Sequence, residues 1–169
     1  MKKHICSVTV ILALATLGSC TKIEHISPVP HIEYTSFTIF DTTDILGNQL
    51  KGGKLKFFFE DGDGDLGLKP PAGLSDSTNL FFTLYRKKNG ELIPAEADDP
   101  LYPSAYRIPY MERIGQNKIL RGTISVTFMY FFYEPTDTIA YDFYIKDRAD
   151  NESNLAETKD IIISRNDTY

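Results

Sequence analysis

The sequence predicts an all-β protein, an antiparallel sandwich of about seven strands, and three observations carry that expectation. Short runs rich in Ile, Phe, Tyr, Val and Thr recur along the chain, as strands require. Turn residues separate them at intervals of about 8–15 residues, the spacing of strands in a sandwich. No stretch carries the apolar period of an amphipathic helix, and no internal repeat shows.

Taken in order, Ile32 to Phe40 ("IEYTSFTIF") reads as the first strand, and "DILGNQLKGG" as a connection with turn chemistry. Leu55, Phe57 and Phe59 alternate with Lys54, Lys56 and Phe58, the period of a half-buried strand. Leu80 to Lys87 follows and closes on Asn89-Gly90, a pair suited to a type I′ hairpin turn. Residues 94–117 hold Pro94, Pro100, Pro103 and Pro109 without a clean period and read as a long irregular connection. Ile119 to Tyr133 places Ile124, Val126, Phe128, Tyr130 and Phe132 on one face. Ile139 to Ile145 and Thr158 to Ser164 complete the set. Within the former, "DTIAYDF" resembles the immunoglobulin-type strand-F signature, in which a corner tyrosine precedes the core cysteine by two residues. The resemblance implies an immunoglobulin-like sandwich with Tyr141 as the corner tyrosine and Phe143 in the place of that cysteine.

The N-terminus has a different character. Met1-Lys2-Lys3-His4 is a short basic start, and Ile5 to Leu17 is an apolar run of 13 residues. Such a run is too short to span a bilayer and has the proportions of a signal peptide. It ends in "LGSC", which resembles the lipobox of bacterial lipoproteins. That resemblance implies cleavage after residue 19 and acylation of Cys20, hence anchoring to a membrane by several acyl chains rather than by a spanning helix. The expected organisation is a signal peptide over 1–19, the lipidated Cys20 and a Pro-containing tether over 20–31, and the sandwich over 32–169. Cleavage would remove Lys2 and Lys3 and no acid, moving the formal net charge from −5 to −7. So acidic a body is a poor partner for nucleic acid, whose phosphates demand a basic face. With Cys6 in the signal and Cys20 acylated, no disulfide is expected, and stability must come from the core.

The most distinctive chemistry lies in "FFFEDGDGDLG", where an apolar strand ends in Asp61, Asp63 and Asp65, spaced two apart among glycines. Calcium takes six to eight hard oxygens, and side chains two apart in a tight loop converge on one ion. The stretch is not an EF-hand: Leu66 stands where that loop needs Gly, and Ala72 where it needs Glu. The missing oxygens must come from elsewhere. If Leu55–Glu60 is strand B and Ile139–Lys146 strand F, the two run in parallel directions and end at one pole. There "DRADNESN" offers Asp147, Asp150, Asn151 and Asn154. Two carboxylates about 6 Å apart repel by ~0.7 kcal/mol in water and ~3 kcal/mol at an effective dielectric of 20, so such a cluster favours a cation. The competing expectation is that these Asp and Gly residues simply build solvated turns.

Together the lipobox, the "FFFEDGDGDLGL" strand-to-loop and "YIKDRADNESN" resemble surface lipoproteins of the Bacteroidota type with immunoglobulin-like domains. The resemblance implies an outer-membrane location, facing either the periplasm or the surface, and a binding or structural role in the envelope. All three histidines (His4, His25, His31) precede the expected sandwich, so its body offers no Ser-His or Cys-His pair and few of the usual zinc ligands. No enzyme is therefore expected. The remaining option, a carboxylate-only glycosidase built on Glu60, Glu112 or Glu134, has nothing that sets two of them face to face. Tyr102, Tyr106 and Tyr110 on the proline-rich connection are candidates for stacking on a glycan or a protein partner, although the chain has no Trp. Otherwise they cover the open ends of the sandwich.

Overall fold

The computed structural model describes residues 25–70, 78–112 and 118–169. The signal peptide expected over 1–19, Cys20, and Ala72 lie outside the described residues. The described chain forms strands β1 (His31–Thr43), β2 (Gln49–Asp61), β3 (Leu80–Lys88), β4 (Glu91–Pro94), β5 (Leu120–Tyr130), β6 (Thr138–Ile145), β7 (Ala156–Glu157) and β8 (Ile161–Ile162). No helix long and apolar enough to cross a membrane occurs among the described residues.

Two antiparallel sheets result. One has the order β1-β2-β5; the other has β4-β3-β6-β7, with β8 also paired to β6. In immunoglobulin lettering these are A-B-E against C′-C-F-G, with a G strand broken into β7 and β8. The all-β sandwich expected from the sequence is therefore the fold, and the expected strands B and F are β2 and β6.

The facing residues of the two sheets alternate along each strand, as the two-residue period of a strand dictates. β2 contributes Leu55, Phe57 and Phe59, β5 contributes Val126, Phe128 and Tyr130, and β6 contributes Ile139, Tyr141, Phe143 and Ile145, all buried. β1 switches parity, from Ile32 and Tyr34 inward to Phe37 and Ile39 inward. A bulge makes this consistent: the register steps from Tyr34↔Phe57 to Ser36↔Lys56, leaving Thr35 unpaired. Where an immunoglobulin domain joins strands B and F by a disulfide, Phe57 and Phe143 pack with ring centroids 5.2 Å apart.

Three expectations need correction. The segment "QLKGG" is not connection but the start of β2, and the turn is confined to Asp44–Asn48. Its glycines misled the reading: a Cβ on Gly52 would lie 2.4 Å from the Phe40 ring, and one on Gly53 2.7 Å from the Phe37 ring. They are strand residues over which neighbouring rings fold. Second, the long strand ends at Tyr130, leaving Phe131 and Phe132 exposed. Third, Tyr141 is not a corner tyrosine. Its hydroxyl donates to the Leu101 carbonyl at 3.1 Å and lies 3.1 Å from the Tyr130 hydroxyl, so it ties the core to the proline-rich connection.

Candidate metal centre

β2 and β6 both run toward one pole, where Asp61 pairs with Leu120 and Ile145 with Leu80. Just beyond β2 the chain folds back: the Leu66 N–H donates to Asp61 Oδ2 at 2.9 Å, and the fully buried Leu66 side chain plugs the core. This closure brings one oxygen each of Asp61, Asp63 and Asp65 within 4.8 Å of one another. Asp61 is fully buried, Asp65 partly exposed and Asp63 exposed, so the group opens toward solvent on the Asp63 side. Oδ1 of Asp61 and Oδ1 of Asp65 are buried and have no hydrogen-bond partner among the described residues. A buried carboxylate oxygen without a donor costs free energy, and native proteins rarely leave one so.

The electrostatics follow from this geometry. Burial, opposed by the Leu66 N–H and reinforced by Asp63 and Asp65, pushes the Asp61 carboxyl up to about 6. Asp65 is also pushed up, by burial first and then by the charges of Asp147 and Asp63, against the pull of Arg148. The loop is held tightly from outside. Gly62 donates its N–H to the Ser27 carbonyl at 2.9 Å, and a Cβ there would lie 2.4 Å from the carbonyl oxygens of Ile26 and Ser27. Gly64 has φ +71° and lies against the Lys118 carbonyl, a conformation and a closeness that only glycine permits.

The loop after β6 arrives at the same place, as its topology required. Arg148 Nη1 donates to the Gly67 carbonyl at 2.8 Å, bridging the two loops. The carboxylate of Asp147 in that loop, however, is otherwise engaged. Asp147 Oδ1 accepts from the N–H groups of Ala149 and Asn151, and Oδ2 accepts from the Asn151 side-chain amide. The same device closes the β1–β2 turn, where Asp44 accepts from the N–H groups of Leu46 and Asn48 and from the Asn48 amide. The spacing D-x-x-x-N, present in both "DILGN" and "DRADN", was the legible signal that this loop builds a turn. Asp150 is exposed at φ +65°, and Asn154 clamps both main-chain groups of Ile32 at 2.9 Å. Thus the two loops meet, but Asp147, Asp150 and Asn151 stand outside the three-carboxylate group. Arg148 joins the two loops, and Asn79 ties the second of them to the proline-rich connection. Asn79 is buried, donating to the Lys146 carbonyl and accepting from the Ile108 N–H, and only its position before an apolar strand hinted at it.

The three tyrosines differ in exposure: Tyr102 and Tyr106 are half-buried and Tyr110 is exposed. Tyr102 donates its hydroxyl to the Phe82 carbonyl at 3.2 Å, Tyr106 packs edge-on to Phe82 and Phe128, and the Tyr110 ring has Lys69 and Arg148 about 5 Å from its centroid. Glu60 lies at the acidic pole, 3.5 Å from Arg121, while Glu134 lies at the opposite pole beside Asp137. No family model, curated protein or solved structure matches this chain.

Proposed function

We propose that this chain is a lipoprotein anchored to the outer membrane through acylated Cys20, with a β-sandwich body that one calcium ion stabilises. It acts as a binding or structural accessory module of the envelope. One observation carries the calcium reading: fully buried Asp61 keeps an oxygen without a donor inside a group of three convergent carboxylates. Hard oxygens of this kind select a hard cation, and calcium tolerates the irregular, partly solvated coordination that the exposed Asp63 side leaves. The remaining ligands would be water or main-chain carbonyls. The anchor rests on the "LGSC" pattern alone.

Calorimetric titration of the metal-stripped chain with calcium, beside Asp61→Asn and Asp63→Asn, tests the ion. One site in the wild-type chain, lost in both variants, is expected; heat that survives both substitutions would place calcium elsewhere. Incorporation of a labelled fatty acid, abolished by Cys20→Ser, tests the anchor separately.

A further inference from the structure

The four lateral edges of the sandwich are unequally protected. Along β1, the C-terminal residues act as a cover: Phe37 and Tyr169 exchange main-chain bonds of 3.2 and 2.9 Å, and the Ile39 N–H reaches the Asp167 carbonyl at 2.9 Å. β4 is four residues long and ends in Pro94, while β7 and β8 are two residues each. Short strands, proline and covering segments are the usual protection of a sheet edge. Among the described residues, none of these protects β5 from Thr123 to Met129. It is 11 residues long, forms the outer edge of its sheet and runs without a bulge against β2.

In an antiparallel ladder every second residue of such a strand turns its N–H and C=O outward. Between Thr123 and Met129 no described residue bonds to that outer side. The described part of the neighbouring connection does not use it: Tyr106 exchanges main-chain bonds with Leu80 and accepts from Asn79 at the other sheet, and the Ile108 carbonyl accepts from Leu68 in the loop after β2. Between this edge and the connection runs a cleft. Its first part, about 420 Å³, lies between Ile124–Thr127 and Tyr106–Met111; its second, about 280 Å³, continues along Thr127–Tyr130. Both parts are lined by Tyr106 and Thr127, so they adjoin beside the strand. The first part is walled mainly by apolar groups and the second more by polar ones, and Arg107 is the one charged side chain among the described residues that line them.

We propose that this cleft binds an extended segment of a partner protein by strand addition to β5. Seven residues of edge offer about 20 Å of ladder at 3.3 Å per residue. The outward main-chain groups between Thr123 and Met129 bond the guest backbone, the apolar part of the cleft beside Ile124–Thr127 takes alternate guest side chains, and Arg107 pairs a guest carboxylate. That charge separates a partner from a second copy of this chain: β5 itself ("LRGTISVTFMY") has no acidic residue to offer Arg107. The inference takes from the function proposed above only that the body is a binding module; the ladder and the cleft stand whether or not calcium binds.

The test is selection of a random ten-residue peptide display library on the full-length chain, followed by anisotropy titration of the synthesised winner in calcium and in EGTA. Winners should alternate apolar residues and carry a carboxylate. Arg107→Glu should weaken binding at least tenfold, and N-methylation of alternate peptide amides should weaken it in one parity only. Ser125→Pro, checked for folding by its melt, should abolish it. No winners, or binding indifferent to Arg107→Glu and to N-methylation, overturns the proposal. Dimerisation of the chain alone that Ser125→Pro abolishes also overturns it, by giving the edge to a second copy. Binding that persists in EGTA keeps this inference even if calcium titration fails, and binding lost in EGTA from a chain that stays folded overturns its independence from the ion.

Discussion

At the end of the sandwich where β3 finishes, Arg86 gives Nε and Nη2 to the two oxygens of Asp99, at 2.5 and 2.8 Å, and Nη1 to Asp137 at 2.6 Å. At the other end Asp61, Asp63 and Asp65 converge, while Arg148, at the margin, spends Nη1 on the Gly67 carbonyl. Both clusters hold sheltered carboxylates, yet their titration moves in opposite directions. The Arg86 guanidinium holds Asp99 below the usual carboxylate range, whereas burial pushes Asp61 up to about 6. This chain supplies its own cation where a carboxylate pair is structural. Among the described residues no cation is paired with the Asp61 oxygen, and the calcium proposal accounts for that.

The comparison breaks most visibly at its paired end. Arg86→Met should destabilise the chain by about 3–5 kcal/mol in urea unfolding, because it strands two sheltered carboxylates. A loss under 1 kcal/mol would mean that water already serves them. Next comes pH, where the ends should pull apart. In EGTA, the Asp61 contribution is fully present below its ordinary value of 3.8 and is lost as pH rises through about 6. Its full span is about 3 kcal/mol. For Asp99 the sign is opposite: its contribution is present above 3.8 and is lost as pH falls through its lowered value. Melting curves should therefore lose the drop between pH 4 and 7 in Asp61→Asn, and lose part of the acid-side drop in Asp99→Asn.

Calcium itself is the smaller effect. At ten to a hundred times its dissociation constant it should stabilise the wild-type chain by roughly 1.4–2.7 kcal/mol and flatten its pH dependence. Neither should occur in Asp61→Asn or Asp63→Asn. The smallest effect sharpens the boundary of the site. Asp150→Asn, exposed and outside the group, should change stability by less than about 0.5 kcal/mol and leave the calcium shift intact. If instead it removes the shift, the second loop does contribute a ligand.

Much of this was legible because it is periodic. Alternation along Leu55–Phe59 and Ile139–Ile145 specified which residues face inward, and the directions of strands B and F sufficed to bring two loops 80 residues apart to one pole. Glycines were read less well. "KGG" has the composition of a turn, and only the cross-strand rings of Phe40 and Phe37 explain it as strand. The candidate site was read in half: the carboxylates at 61, 63 and 65 do converge, but Asp147 and Asn151 bond each other. A carboxylate's partners depend on which donors the folded backbone presents, and composition does not record that.

The sequence by itself determined the all-β class, the inward-facing residues and the acidic pole, because each follows from local period and strand direction. Tertiary structure decided which oxygens were left without donors among the described residues, that Phe57 meets Phe143 where a disulfide would stand, and that β5 stands at the edge of its sheet. These are properties of what lies across a gap rather than along the chain. Hydrogen bonds and van der Waals contacts act over a few ångströms, so they respond to neighbours in space that no local pattern names.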